Sequence, residues 1–158
     1  MLKKITNFLL DSIETITVSL SIFVLIYLFL GRPTEVLGYS MEPSLEPQQR
    51  LIVENITLRT GDLQRGDIVV LHSPTVPDTD YIKRLIGLPN DTVTIKNCKV
   101  YIDSQLLSEP YLSLDVCTRG GDKVSENSPL FIPEEQYLVM GDNREHSFDG
   151  RFFGLIPK

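Results

Sequence analysis

Residues 15 to 30, TITVSLSIFVLIYLFL, form an uncharged run in which apolar residues occupy every helix face from Ile22 to Leu30. The run is about 16 residues long, short of the roughly 20 that cross a bilayer core; counting Ile13, with Glu14 near the interface, brings it close. Pro33, after Arg32, should end the helix nearby. Three readings compete. A cleaved signal peptide needs a small-residue site after its apolar core, and FLGRP holds no A-x-A pattern. A buried helix of a soluble protein could also be apolar all round. A membrane anchor is the preferred reading. Lys3 and Lys4 favour a cytoplasmic N-terminus, while Arg32 on the far side argues the other way. With the first orientation, residues after about 34 lie outside the cytoplasm.

The remaining chain is long enough for one compact domain with a sizeable core. The formal charge of −6 gives nucleic acid no basic surface to bind, so none is expected as a partner. No metal-ligand spacing of Cys and His occurs, and neither metal nor other cofactor is expected. Cys98 and Cys117 could form one disulfide or stay free; the pairing gains weight if the domain is extracytoplasmic.

From Val36 onward the chain reads as β-structure. RLIVEN, DIVVLHS, DTVTIKN, KVYIDSQ and QYLVMGD are short runs rich in Val, Ile and Tyr, bounded by turn residues. RGD at 65–67 reads as a turn before a strand rather than an adhesion signal. LPND at 88–91 is a turn, and KNCK at 96–99 joins two strands as a hairpin. Ser104 to Pro133 reads as a polar, loop-rich excursion. The fold class is mainly β with one N-terminal helix.

EVLGYSMEPSLEP, residues 35–47, places Ser40 where it is either a turn residue or a nucleophile. A serine hydroxyl needs a base to take its proton. His72 and His146 are the only histidines, and a triad of Ser40, His146 and Asp149 is chemically conceivable. His146 and Asp149 are so close in sequence that a bland surface role suits each histidine better. Lysine is the other candidate base. In DYIKRLIGLP, a strand puts Lys83 on one face with Tyr81 and Leu85. Burial would lower its pKa and free the neutral amine as a general base. Taken alone, the local sequence favours the other outcome, a packed stem with its head in water.

Taken together, YSMEPSL, RGDIVVL, DYIKRLIGLPNDTV and MGDNREHSFDGRFFG resemble the type I signal peptidases of bacteria, in the family's order and approximate spacing over most of residues 36–157. The resemblance implies an antiparallel β-sheet catalytic domain, residues 34–158, behind a cytoplasmic N-terminus and transmembrane helix, residues 1–33. It implies a membrane-bound serine endopeptidase that removes signal peptides from exported preproteins after Ala-x-Ala sites, on the outer face of the cytoplasmic membrane. Signal peptides and the lipid bilayer are then its partners. By motif position Ser40 is the nucleophile and Lys83 the general base, which reverses the local preference for Lys83. Ser147 matches the serine that hydrogen-bonds the lysine amine. Asp149 and Arg151 match a charged pair bracing the site, with Arg84 near that pair, and Gly141, Asp142 and Asn143 match its supporting loop. Val36, Leu37, Met41, Leu45, Tyr81 and Ile82 match positions lining small apolar pockets, beside which the substrate adds as a strand.

The oxyanion hole would use the Ser40 backbone N–H, with Gly38 supplying no side-chain donor. Ser44, Gly150 and Phe153 stand where threonine, serine and a tryptophan or tyrosine are commoner in the family. Relatives usually continue past GLIPK with another strand, so the domain is expected to lack its usual C-terminal strand and to expose a sheet edge there. Two other functions compete. A self-cleaving repressor-type Ser–Lys peptidase would need a DNA-binding domain where residues 1–33 are apolar. A catalytically inactive, membrane-anchored β-domain would bind signal peptides or partner proteins without turnover.

Overall fold

The computed structural model describes residues 2–29, 31–54 and 63–157. Leu30, at the end of the apolar run, and Asn55, at the end of RLIVEN, lie outside the described residues.

Helix α1 spans Leu2–Phe29. Its stretch Lys3–Leu25 is long and apolar enough to cross a membrane, with a mean hydropathy of 1.8, and none of it is buried among the described residues. The hydroxyls of Thr15, Thr17 and Ser21 each donate 2.8 Å to the carbonyl four residues earlier. These polar groups are thus satisfied within the helix, as a hydrocarbon environment requires.

β-Structure begins earlier than the sequence reading placed it. Strand β1 (Arg32–Glu35) pairs antiparallel with β2 (Arg50–Val53). Pro33 lies inside β1, opposite Ile52. An edge strand tolerates a proline because its missing N–H can face away from the ladder. Residues 36–49 are not a strand. They fold into a looped excursion closed at its base by Val36 N–H to Gln49 O (2.9 Å) and Gln48 N–H to Val36 O (2.7 Å). Val36, Met41 and Leu45 bury against Leu51 and Ile82 inside it, which anchors the loop carrying Ser40.

Two further sheets carry the body. One contains β3 (Ile68–His72), β4 (Asp80–Gly87), β9 (Gln136–Met140) and β10 (Ile156–Pro157), in the order β10-β9-β4-β3. The other contains β5 (Thr92–Lys96), β6 (Lys99–Ile102), β7 (Gln105–Leu106) and β8 (Leu130–Phe131), in the order β7-β6-β5-β8. All these neighbouring strands are antiparallel. In β5 the residues Val93 and Ile95 alternate inward, and with Val100, Ile86, Leu138 and Ile132 they form the main core.

The turns follow their sequence chemistry. Asn97 and Cys98 both have positive φ, 50° and 62°, as a two-residue hairpin turn between β5 and β6 needs. Gly66 in RGD has φ 98°, and the Asp67 carboxylate caps the turn by accepting from Gln64 N–H at 2.8 Å. The excursion 104–133 is largely irregular, as its composition suggests, with only short strands in it. It is nevertheless fastened: Cys98 and Cys117 are disulfide-bonded, and Val124 and Ile132 are buried in the core.

Candidate active site

Strand β4 holds Lys83 opposite Val69 of β3. The Lys83 side chain runs beneath the Ser40 loop instead of out to water, and the residue is 3% exposed. Its Nζ donates to Ser40 Oγ at 2.8 Å and to the Ile82 carbonyl at 3.0 Å. Burial lowers the Lys83 pKa; the negative charge of Asp149 pulls the other way without cancelling it. A lysine held this way is chemically able to exchange a proton with the serine beside it.

The Ser40 loop is clipped from the opposite side by the segment after β9. Asn143 N–H donates to the Ser40 carbonyl (3.0 Å), and Asn143 Nδ2 donates to the Tyr39 carbonyl (3.2 Å). Gly141 lies directly against Ser147 Oγ and the Ser40 carbonyl, and a Cβ there would collide with both. Ser147 is buried beside this junction, but its Oγ has no hydrogen-bond partner among the described residues. The lysine–serine bond implied for Ser147 is therefore not made in this conformation: the amine's bonds go to Ser40 and Ile82.

Asp149 caps the short helix α2 (Gly150–Phe153). Its buried carboxylate accepts from Arg151 Nε (2.9 Å) and Nη2 (2.8 Å), Arg151 N–H (3.1 Å) and Gly141 N–H (2.9 Å). Those bonds leave it committed, and His146 is exposed with Nδ1 3.2 Å from Asn143 Oδ1, so no Ser40–His146–Asp149 triad is assembled. His72 is likewise a surface residue, 2.6 Å from Asp80.

Arg84 does not join the Asp149–Arg151 pair. Its neighbour in the strand faces the serine, and the alternation of β4 turns Arg84 to the other side, where it forms a two-pronged pair with Asp142 (Nε–Oδ1 2.8 Å, Nη2–Oδ2 2.6 Å). Burial works against the Arg84 guanidinium, but the Asp142 bonds and charge, together with Tyr111 and Glu109 nearby, outweigh it and its pKa rises.

A cleft of about 1250 Å³ opens at Ser40 and Lys83. Val36, Leu37, Met41, Tyr81 and Ile82 line it. Leu37 is 87% exposed, whereas Val36 and Met41 form a buried wall. Leu45 is not brought to this cleft. It is turned into the loop's own core and borders a neighbouring apolar groove of about 970 Å³ with Leu51, Val69 and Ile156.

The sequence reading missed a third buried ion pair, Arg144 with Glu109. Arg144 sits in the same GDNREH motif as Asp142, which is the one local signal for it. Nothing near Glu109 in sequence indicates its partner, 35 residues away.

Comparison with known proteins identifies the family. The family model described as signal peptidase, peptidase S26, matches residues 9–158. Signal peptidase I P of Bacillus subtilis subsp. natto is 38% identical over 95% of this chain and 83% of its own. Signal peptidase IB of Staphylococcus aureus strain Mu50 is 36% identical, with the same coverage of 95% and 83%. A crystal structure of a signal peptidase I from Enterococcus faecalis V583 aligns at 32% identity with a TM-score of 0.49, covering 60% of this chain and 89% of that one. With a family match along nearly its whole length, the chain belongs to the signal peptidase family, peptidase S26, whose members are serine endopeptidases.

Proposed function

We propose that the chain is a membrane-anchored endopeptidase that removes N-terminal signal peptides from exported preproteins after Ala-x-Ala sites. Helix α1 supplies the cytoplasmic end and the span, and the chain from β1 onward forms the peptidase domain on the extracytoplasmic face. The observation that carries this reading is the 2.8 Å contact between a buried Lys83 amine and Ser40, in a chain of this family. The Cys98–Cys117 disulfide suits an oxidising compartment and so supports the orientation.

In the proposed reaction the substrate adds as a strand in the cleft. Among the described residues, 80–83 of β4 have a ladder partner only on the β3 side, and β1 pairs only with β2, so backbone groups on both walls are available. Neutral Lys83 takes the Ser40 Oγ proton as Oγ bonds to the scissile carbonyl carbon. The Ser40 N–H stabilises the oxyanion. The C–N bond then breaks, the amine of the mature protein leaves with the proton from Lys83, and an ester to Ser40 remains. A water then loses a proton to Lys83 and attacks that ester. The signal peptide leaves as an acid, and Ser40 regains its proton.

The test is cleavage of a preprotein with an Ala-x-Ala site by the full chain in detergent or lipid, with the product N-terminus read by mass spectrometry. Cleavage after the second Ala, abolished by Ser40→Ala and by Lys83→Ala but not by a chelator, supports the reading. Wild-type turnover by Lys83→Ala would overturn the mechanism. Tight binding of the same peptide without turnover would replace it with a binding role.

A further inference from the structure

Three buried arginines, two within the segment 141–151 and one against it, each have their own carboxylate. Arg84 holds Asp142 and Arg151 holds Asp149. Arg144, whose side chain is fully buried, holds Glu109. The first two acids belong to the site segment itself. Glu109 comes from the excursion 104–133, which the disulfide at Cys117 ties to the core hairpin.

Arg144 is where the excursion and the site segment meet. Its Nη1 donates to Thr118 Oγ1 at 2.6 Å, and both of its terminal nitrogens donate to the Glu109 carboxylate. Its Nε donates to the Gly141 carbonyl at 3.0 Å, and its own carbonyl accepts from Arg151 Nη2 at 2.7 Å. The Gly141 N–H is already given to Asp149. Both backbone polar groups of Gly141 are therefore fixed, at the residue that touches Ser147 Oγ and the Ser40 carbonyl. Glu109 reaches the second ion pair as well. It accepts from Tyr111 Oη at 2.9 Å, and the Tyr111 ring lies 4.0 Å from the Arg84 guanidinium.

We propose that Glu109 is a positioning residue for the peptidase: by neutralising and aiming Arg144 it fixes the Gly141 carbonyl, and with it the placement of Ser147 against the Ser40–Lys83 pair. An arginine stays charged when its partner is lost. Without Glu109, the buried acids left to Arg144 on its own segment are Asp142 and Asp149, each already holding another arginine, while Glu145 is exposed at the surface. The effect of losing Glu109 thus passes into the site rather than staying in the excursion. The proposal rests on the reading of Ser40 and Lys83 as the catalytic pair.

Two measurements test it on the full chain. In the first, kcat and KM are determined per folded molecule, the folded fraction being taken from thermal unfolding. Glu109→Ala should lower kcat about tenfold or more with KM within about twofold, and Glu109→Gln, which keeps an acceptor of the same length, should recover part of the loss. Thr118→Val and Tyr111→Phe each remove one bond of the network and should lower kcat by about threefold, which keeps the test open if Glu109→Ala does not fold. In the second, hydrogen exchange of the Gly141 amide should quicken at least about tenfold in Glu109→Gln or Glu109→Ala, relative to an amide of β5. Unchanged kcat per folded molecule, with only the melting temperature lowered, would reduce Glu109 to a structural role. So would unchanged Gly141 exchange. A wild-type chain that never cleaves would overturn the peptidase reading, and Gly141 exchange would still decide for or against Glu109.

Discussion

The Lys83 amine lies 2.8 Å from the Ser40 hydroxyl, on a lysine that is 3% exposed. Burial is the larger influence on this amine and lowers its pKa from the ordinary 10.5; the Asp149 charge limits the fall. Only the neutral amine accepts a proton, so activity should rise with pH through the lowered pKa and be well developed below the ordinary lysine range. Initial rates measured from about pH 5 to 11 check this. A rate that climbs only above about pH 10 would mean an unperturbed lysine and would sink the general-base role.

The lowered pKa also has a sign for stability. The unfolded chain holds the Lys83 proton more tightly than the folded one, so protonation favours unfolding below pH 10.5. That penalty is absent above the unfolded pKa, grows as pH falls toward the folded pKa and is constant below it. A tenfold weaker hold on the proton in the folded chain corresponds to about 1.4 kcal/mol. Lys83→Met should therefore gain stability relative to wild type as pH is lowered through this window, while losing cleavage. Thermal or urea unfolding at several pH values measures it. A difference that does not vary with pH would show that Lys83 is not perturbed.

Ser147 separates activity from stability in another way. Its buried hydroxyl has no partner among the described residues, and an unsatisfied buried polar group costs about 1–3 kcal/mol. Ser147→Ala should leave stability unchanged or raise it by about 1 kcal/mol. If the hydroxyl takes up the Lys83 amine during turnover, the same change lowers kcat. A marked loss of stability would mean that Ser147 is bonded in solution, contrary to the arrangement found here.

Much of this was legible in the sequence, and the limits have physical causes. The apolar run, the Asn97–Cys98 hairpin turn and the alternation of β5 are local patterns, readable from side-chain chemistry over a few residues. The partnership of Ser40 with Lys83 came from the motif resemblance; on its own strand, Lys83 read as a snorkelling lysine. The helix ends at Phe29, close before Pro33 as expected, but the start of the β-structure at Arg32 was not legible because a proline also fits an edge strand. That Arg84 pairs with Asp142, and that Leu45 borders the neighbouring groove, was not legible because strand alternation and loop packing decide where a side chain points. Glu109 was invisible because its partner is remote in sequence.

Arg84 and Asp142 are both buried, and their two-pronged pair lies behind the Ser40 loop, with Arg84 Nη2 also 3.2 Å from Ser44 Oγ. Replacing one member leaves the other charge buried, which costs about 3–5 kcal/mol. Arg84→Met should destabilise the domain on that scale, and adding Asp142→Leu should return part of the loss. A double-mutant cycle on urea unfolding gives the coupling. Additive losses would mean that the two charges find other partners or water.

The disulfide should act on stability and on the site together. Cys98 and Cys117 are separated by 19 residues, and closing a loop of that size restricts the unfolded chain by about 3 kcal/mol. The residue after the disulfide, Thr118, donates its N–H to the Cys98 carbonyl at 3.0 Å and accepts from Arg144 Nη1 at 2.6 Å. Slack in the hairpin connection therefore reaches Arg144 and the Gly141 carbonyl it holds. The paired change Cys98→Ser and Cys117→Ser should lower stability by about 3 kcal/mol and reduce kcat more than KM is altered. Reduction of the wild-type chain should do the same, reversibly on reoxidation. If reductant leaves both melting temperature and kcat unchanged, the disulfide is not what fastens the excursion, and the hydrogen bonds of Thr118 and Glu109 to Arg144 must hold it in place by themselves.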